Sequence, residues 1–333
     1  MNNLCRAVAA AAPGGDVVCD VMSFGAERAV VSLLPQTELH IVPGSLEHPS
    51  NVSVPAFHAL LSTYDVIHVH QCLQPFGLYV AARARLGRKF VLGTDHGGGE
   101  SPMLEPYPIV GELFDAFHAQ SDFAAHAFTF FTRPVTVIKG PVDDEAFPLS
   151  SMKRDSTLVV AVGRILSHKG FENIIDRLPE ALTLVIVGRP YDGDYLAYLR
   201  ERARHKRVLF ETNLDDGALL RLVQSAGLHV HASQHTDFRG NFALKPELLG
   251  LAPLECLATG MPAITSTAGS LAELGSLEGC YTYSSGDELA GLLAAYADGR
   301  LPLPSPVRIR QGVLAAYGLK QFGLRYLDLL RKL

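Results

Sequence analysis

Leu158-Val-Val-Ala-Val-Gly163-Arg164-Ile-Leu-Ser-His-Lys169-Gly170 is an unbroken apolar run, then a glycine turn, then two cations five residues apart. A continuous Val/Leu/Ala run reads as a strand covered on both faces, which is how parallel sheets between helix layers are written. The pattern repeats outward in both directions. Toward the N-terminus, strands are expected at residues 17–22, 38–42, 66–70, 90–94, 127–131 and 135–138, with helices at 4–12, 53–61, 74–86, 109–120 and 121–125. Toward the C-terminus, strands are expected at 158–162, 183–187, 208–211, 228–232, 263–266 and 280–283. Helices at 173–178, 195–205, 215–225, 253–259, 270–274 and 286–297 separate them. Strands alternating with helices make a parallel α/β fold.

The chain of 333 residues exceeds what one core normally holds, so two domains are expected. The link reads at about 142–155, where Pro148, Ser150, Ser151 and Lys153-Arg154-Asp155 are turn-forming and polar. The division expected is 1–148, 149–305 and a last amphipathic segment, 306–333, whose helix is expected at about 310–333 after Pro302, Pro304 and Pro306. Hydrophobic content of 48% and charged content of 19% fit a substantial core. A net charge of −5 without a basic tract argues against nucleic acid as a partner. Five scattered cysteines, with no C-x-x-C pair, fit reduced thiols in a cytoplasmic protein rather than a disulfide framework or a zinc site. No apolar stretch is long enough for a membrane span, and no Lys/Arg-rich amphipathic helix is evident, so membrane contact is expected to be peripheral at most.

The second informative stretch is Glu247-Leu-Leu-Gly250-Leu251-Ala252-Pro-Leu-Glu255, followed by Cys256-Leu257-Ala258-Thr259-Gly260-Met261-Pro262. It sets one carboxylate just before a helix and another inside it. Between them, the backbone N–H groups of Gly250, Leu251 and Ala252 would open the helix and offer a seat for phosphate. Arg164 and Lys169, on a loop after a parallel strand, can neutralise a diphosphate. Two carboxylates around a phosphate seat suit a ligand with a central diphosphate and hydroxyls at both ends, such as a nucleotide-sugar.

In this order, about eighty residues apart, the two stretches resemble the retaining glycosyltransferases of GT-B fold, the glycosyl transferases group 1 family (glycosyltransferase family 4 type). That family carries a Gly-Arg…Lys-Gly turn and a Glu-x7-Glu motif ending in Glu-Ala-(small)-Ala-x-Gly-x-Pro. Its next element, Gly-Gly-x-x-Glu, corresponds to Ala268-Gly269-Ser270-Leu271-Ala272-Glu273, with one glycine changed and the spacing one residue looser. Its Val-Ile-Pro-Asn-Gly-Val-Asp corresponds to Val137-Ile-Lys139-Gly140-Pro141-Val142-Asp143, without the Asn. The resemblance is specific over residues 135–275 and weaker before them.

The resemblance implies two Rossmann-like domains facing across a cleft, acceptor in the first and donor in the second, with the last helix crossing back to the first. It implies donor contacts from Gly163, Arg164, Lys169, Glu247, Gly250, Leu251, Ala252 and Glu255. Glu255 would hold ribose hydroxyls, Glu247 sugar hydroxyls near the reacting face, and Arg164 and Lys169 the charge building on the leaving diphosphate. His96, at a strand end in Thr94-Asp95-His96-Gly97-Gly98-Gly99, would touch the transferred sugar, and His96, Glu247, Arg164 and Lys169 form the catalytic set. His70 and Asp95 are acceptor-side candidates. The resemblance also implies an opening strand and glycine turn, but here the helical pattern starts at about Asn3, so that strand and turn are expected to be missing.

No cofactor and no obligatory metal are expected. Histidines alternate in the pairs His68/His70 and His229/His231, with no third ligand close in sequence. Asp192-Gly193-Asp194 follows a strand and reads as a polar turn rather than an Asp-x-Asp metal motif. Residues 235–246 are an insertion that either shapes the donor-sugar pocket or lies on the surface. The activity expected is sugar transfer from a nucleoside-diphosphate sugar to a hydroxyl of a small-molecule, glycan or lipid-linked acceptor. A nucleotide-sugar 2-epimerase and a non-catalytic nucleotide-sugar-binding protein are the alternatives. A dinucleotide dehydrogenase fits poorly, because no Gly-x-Gly-x-x-Gly follows a strand with an acid about twenty residues on.

Overall fold

A computed structural model describes residues 2–12, 17–35, 37–43, 57–97 and 107–332. The chain divides into two units. One comprises Met1–Pro141 with Leu319–Leu333, the other Val142–Gly318.

The second unit is a six-stranded parallel sheet built from β8 (Asp155–Val162), β9 (Thr183–Val187), β10 (Val208–Glu211), β11 (Ala226–His231), β12 (Ala263–Ser266) and β13 (Cys280–Tyr283). Their spatial order is β10-β9-β8-β11-β12-β13. Strand order therefore reverses between β8 and β11, which leaves a crevice beyond their C-terminal ends, the usual ligand position in such sheets. Helices cover both faces. On one, Phe171, Ile174, Ile175, Leu196, Leu199, Leu289 and Leu293 bury against Val159, Ala161, Leu184, Ile186 and Val230. On the other, the helix Leu251–Ala258 and the helix Pro306–Tyr317 share a core through Leu254, Leu257, Ile309 and Val313.

The first unit holds a four-stranded parallel sheet, β4 (Val66–His70), β5 (Phe90–Thr94), β6 (Ala116–Ala119) and β7 (Val135–Val137), in that order. A separate three-stranded sheet orders β1 (Val21–Gly25), β3 (Thr37–Pro43) and β2 (Ala29–Leu34), with β2 antiparallel to β3. The helix Asn2–Ala11 packs on the last helix, Leu319–Arg331, through Leu4, Ala7, Val8, Phe322 and Tyr326. Their backbones meet at Gly323, where a Cβ would lie 2.0 Å from the Ala7 carbonyl oxygen.

Several expectations are corrected. Residues 109–120 form no α-helix; a 3-10 helix at Pro108–Leu113 leads into β6, whose four residues are all buried. Residues 127–131 form no strand. A helical turn, Asp122–Ala125, and a 3-10 turn, His126–Phe128, precede two aromatic rings, Phe128 and Phe131, that stack on Phe117. β2 is an additional strand, and residues 53–56 of the expected second helix lie outside the described residues. The expected final helix is two helices, interrupted where extended Gly318 bridges Val142 and the Tyr317 carbonyl accepts from the Val142 N–H. The segment read as a link, 142–155, is part of the second unit. There Arg154 donates to the carbonyls of Val223, Ala226 and Thr259 at 2.8, 2.8 and 2.6 Å and pins the start of β8.

Candidate active site

In the second unit the polar residues gather at the β8/β11 reversal. β8 ends into Gly163 and the exposed Arg164, whose guanidinium lies 5.9 Å from the Tyr191 ring centre. A 3-10 turn, Ser167–Lys169, then brings Lys169 back inward. Gly170 closes this turn in the left-handed region (φ 62°), and a Cβ there would stand 2.2 Å from the Ala232 carbonyl oxygen. The turn thereby rests directly on the end of β11.

Buried Lys169 points its ammonium at Glu247, with Nζ 2.7 Å from Oε2. The same oxygen accepts from His231 Nε2 at 3.0 Å, and Ser233 Oγ lies 3.1 Å from that nitrogen. Burial alone would raise the Glu247 carboxyl; the His231 hydrogen bond and the Lys169 charge outweigh it and hold the acid ionised, well below the ordinary range. Burial in turn keeps His231 neutral despite its carboxylate neighbour. The Glu247 backbone is clamped by the following loop. The Ser270 N–H donates to the Glu247 carbonyl at 3.1 Å, and Gly269 (φ 62°) comes so near that a Cβ would sit 2.3 Å from that oxygen.

Gly250 leads into the helix Leu251–Ala258 in a left-handed conformation (φ 75°) with no side-chain cap. The N–H groups of Leu251 and Ala252 are in the first turn, where no intrahelical acceptor exists. Pro253 occupies the next position, where a missing N–H costs nothing. One turn on, Glu255 is half-buried and its carboxyl receives no hydrogen bond among the described residues. Burial, with the Asp143 carboxylate adding to it, pushes Glu255 up to about 8. The two glutamates of the motif thus differ: Glu247 is a compensated anion, Glu255 an uncompensated acid awaiting a donor.

The insertion 235–246 is folded onto the Ser167–Lys169 turn rather than projecting from it. Ser167 Oγ donates to Asp237 Oδ2 at 2.6 Å, the Gln234 N–H donates to the His168 carbonyl at 2.8 Å, and Phe238 stacks on Tyr198 at 4.2 Å. Asp192 caps the helix Gly193–Arg202 by accepting from the Tyr195 N–H at 2.9 Å, and Arg239 donates to it at 2.6 Å. A polar cleft of about 280 Å³ opens beside this region, lined among others by Ser233, Gln234, Ser266 and Ser284.

In the first unit, the C-terminal ends of β4, β5 and β6 bring four histidines together. His70 Nδ1 lies 2.6 Å from His96 Nε2, and His96 Nδ1 lies 3.1 Å from Gln120 Oε1. Behind them His68 bonds Tyr326 Oη and Thr94 Oγ1, and Thr94 bonds His118, which reaches the Ile138 carbonyl. Asp95 is buried next to His96. Gly98, Gly99 and Glu100, which follow, lie outside the described residues.

The site residues read from the sequence therefore fall into two sets, His70, Asp95 and His96 in one unit and the remainder in the other. His231 is the addition. The sequence paired it with His229, but His229 is wholly buried in the sheet whereas His231 serves Glu247. Its signal was a histidine at the very end of the strand, where a side chain reaches the ligand side of the sheet. Asp143 joins Glu255 from the far side of the chain and carried no signal of that pairing.

Comparison with known proteins bears on the family and the fold. Residues 143–278 match the family model of glycosyl transferases group 1. A glycogen synthase of Mycobacterium tuberculosis is 30% identical over 151 residues, which are 42% of this chain and 33% of that protein. The chain thus spans about a third of the length of that relative. Among solved structures, Anabaena HepE in complex with UDP and glucose superposes with a TM-score of 0.73 at 17% identity, covering 100% of this chain and 96% of that one. Sucrose-phosphate synthase of Thermosynechococcus elongatus gives 0.75 at 18% identity, over 98% and 91%. Residues 143–278 thus carry the similarity to the glycosyl transferases group 1 family, and the chain as a whole has the fold of two Rossmann-like domains found in GT-B glycosyltransferases.

Proposed function

We propose that the protein is a glycosyltransferase that moves a sugar from a nucleoside-diphosphate sugar to a hydroxyl acceptor, with retention at the anomeric carbon. The observation that carries this reading is the Lys169–Glu247–His231 cluster at the strand-order reversal, next to an exposed Arg164 and a helix N-terminus. The diphosphate would sit on the N–H groups of Leu251 and Ala252 and between Arg164 and Lys169, joined by the Gly250 N–H once it leaves Glu247 Oε1, to which it donates at 3.4 Å. Those charges act where the leaving phosphate becomes more negative, which lowers the barrier selectively. Glu247, already ionised, would accept from sugar hydroxyls. Glu255 would accept from the ribose. The solved complexes of HepE with UDP and UDP-glucose lend support to a nucleotide-sugar as ligand.

In the reaction, the bond from the anomeric carbon to the β-phosphate oxygen breaks as the acceptor oxygen attacks from the same face. The acceptor proton passes to the departing phosphate oxygen. With the charge supplied by Arg164, Lys169 and the helix terminus, no metal is required. Asp95, just past the end of β5, would face the acceptor, and His96 beside it the transferred sugar. The test is nucleotide release from UDP-, GDP- and ADP-sugars with product anomer followed by NMR. Release that Glu247→Gln and Arg164→Ala reduce at least a hundredfold, giving an axial product from an axial donor, supports the proposal. Release untouched by both variants, or an inverted product, contradicts it.

A further inference from the structure

The four histidines of the first unit form two hydrogen-bond chains, and each chain has a readable direction. In the inner chain the Ile138 carbonyl can only accept, so His118 carries its proton on Nε2 (3.2 Å). His118 Nδ1 is then a lone pair and accepts from Thr94 Oγ1 at 2.9 Å. The Thr94 oxygen, having used its proton, accepts from His68 Nε2 at 2.7 Å. His68 Nδ1 is left to accept from Tyr326 Oη at 2.6 Å. Every donor meets one acceptor, with all rings neutral.

The outer chain runs the same way from Gln120. Its Oε1 accepts from His96 Nδ1 at 3.1 Å, so His96 Nε2 is a lone pair and accepts from His70 Nδ1 at 2.6 Å. Both ring nitrogens of His96 are thereby committed. His70 Nε2 is not: it carries a lone pair, has no protein partner among the described residues, and is not among the buried unsatisfied atoms. The ring is flanked on two sides, its plane within 11° of that of His96 and tilted by 33° against His68, whose ring centre lies 4.2 Å away. We propose that His70 Nε2, rather than His96, is the hydroxyl-accepting nitrogen of the first unit, and that His96 and Gln120 are positioning residues that hold His70 in the Nδ1–H form. The proposal rests on the transferase reading. The hydroxyl it would orient is that of the sugar acceptor, or of water in donor hydrolysis. Burial favours neutral rings throughout, lowering His70 to about 3 and His118 to about 4 and depressing His68 and His96 as well.

The direct test is the tautomer of each ring in the intact protein, read by long-range 1H–15N correlation on histidine-labelled protein near pH 7.5. The expected pattern is Nδ1–H for His70 and His96 and Nε2–H for His68 and His118. His70 found with its proton on Nε2 overturns the proposal. In Gln120→Leu, His70 is expected to become a mixture of both forms; an unchanged His70 in that variant removes the positioning role. A functional arm uses UDP-glucose hydrolysis. His70→Asn keeps a donor near the Nδ1 position and loses the Nε2 acceptor, so kcat should drop about three- to tenfold, the worth of one hydrogen bond, with KM for the donor unchanged. His70→Gln, which keeps an acceptor near Nε2, should recover part of the loss; equal loss in both variants counts against the assignment. If none of the UDP-, GDP- and ADP-sugars is turned over, the transferase reading is what suffers, and the tautomer pattern still decides the histidine chain.

Discussion

Breaking the Lys169–Glu247 pair should cost more than removing it whole. Its side chains are 10% and 17% exposed, with nitrogen and oxygen 2.7 Å apart. At an effective dielectric of about 20 the attraction is about 6 kcal/mol, and withdrawing both ions from water offsets most of it. The intact pair is then worth little net, but either ion left alone keeps its desolvation cost. Lys169→Met and Glu247→Gln should therefore each destabilise the second unit by about 2–3 kcal/mol, Lys169→Met the less because His231 still serves the carboxylate. The double variant should cost about 1–2 kcal/mol, which leaves a coupling of at least about 2 kcal/mol. Native-state hydrogen exchange in β8 and β9 reads the opening free energy of that unit without requiring both units to unfold together. Adding salt should change the coupling little, since the pair is largely shielded from solvent. Single-variant costs that add within about 0.5 kcal/mol would refute the description of Glu247 as a compensated buried anion.

Three further outcomes are expected. Stability should decline as pH falls below about 6.5, because His118 (lowered to about 4) and His229 (held well below its usual value) take up protons more readily when unfolded. A depressed histidine contributes stability above its unfolded pKa and loses it toward its folded one, at most about 1.4 kcal/mol per pH unit per ring. Urea midpoints that stay flat between pH 7 and 5 would contradict this. Nucleotide binding near pH 7 should release up to one proton, because Glu255, raised to about 8, would become an ionised acceptor for ribose hydroxyls. Calorimetry in two buffers of different ionisation enthalpy measures it, and proton uptake would be the wrong sign. Gly269→Ala should destabilise the second unit by about 1–3 kcal/mol and lower turnover, because its φ of 62° and the Glu247 carbonyl 2.3 Å from the new Cβ leave no room. Turnover and stability equal to wild type would remove the clamp.

Legibility of the chain followed burial geometry. In the second unit the strands Thr183–Val187, Val208–Glu211, Ala263–Ser266 and Cys280–Tyr283 lie where the sequence places them. Most are apolar runs bounded by turns and flanked by long helical patterns, so length and periodicity agree. The first unit offered less. β6 hides inside Ile109-Val-Gly-Glu-Leu-Phe-Asp-Ala-Phe-His-Ala, whose apolar residues recur at helical spacing. Only the packing of Phe117 against Phe114, Phe128 and Phe131 makes it a strand. β2 escaped notice because its Val30 and Val31 are exposed, 55% and 44%, and show no inward face. For the site, residue types and spacing marked Arg164, Lys169, Glu247 and Glu255. They could not show that Glu247 and Glu255 live in opposite electrostatic surroundings. That difference comes from His231, sixteen residues away from Glu247, and from Asp143, which the fold alone brings close to Glu255.

The central claim is that the second unit is a seat for a nucleoside diphosphate, and a thermal-shift series tests it most directly. UDP, GDP, ADP and their common sugars would be added to the wild-type protein, to Arg164→Ala and to Glu255→Ala. At a hundred times the dissociation constant a ligand adds about 2.7 kcal/mol, on the order of 5 °C for a unit of this size. The account predicts such a shift with one base, absent or strongly reduced in both variants. No shift with any nucleotide, or a shift that both variants retain in full, would contradict it.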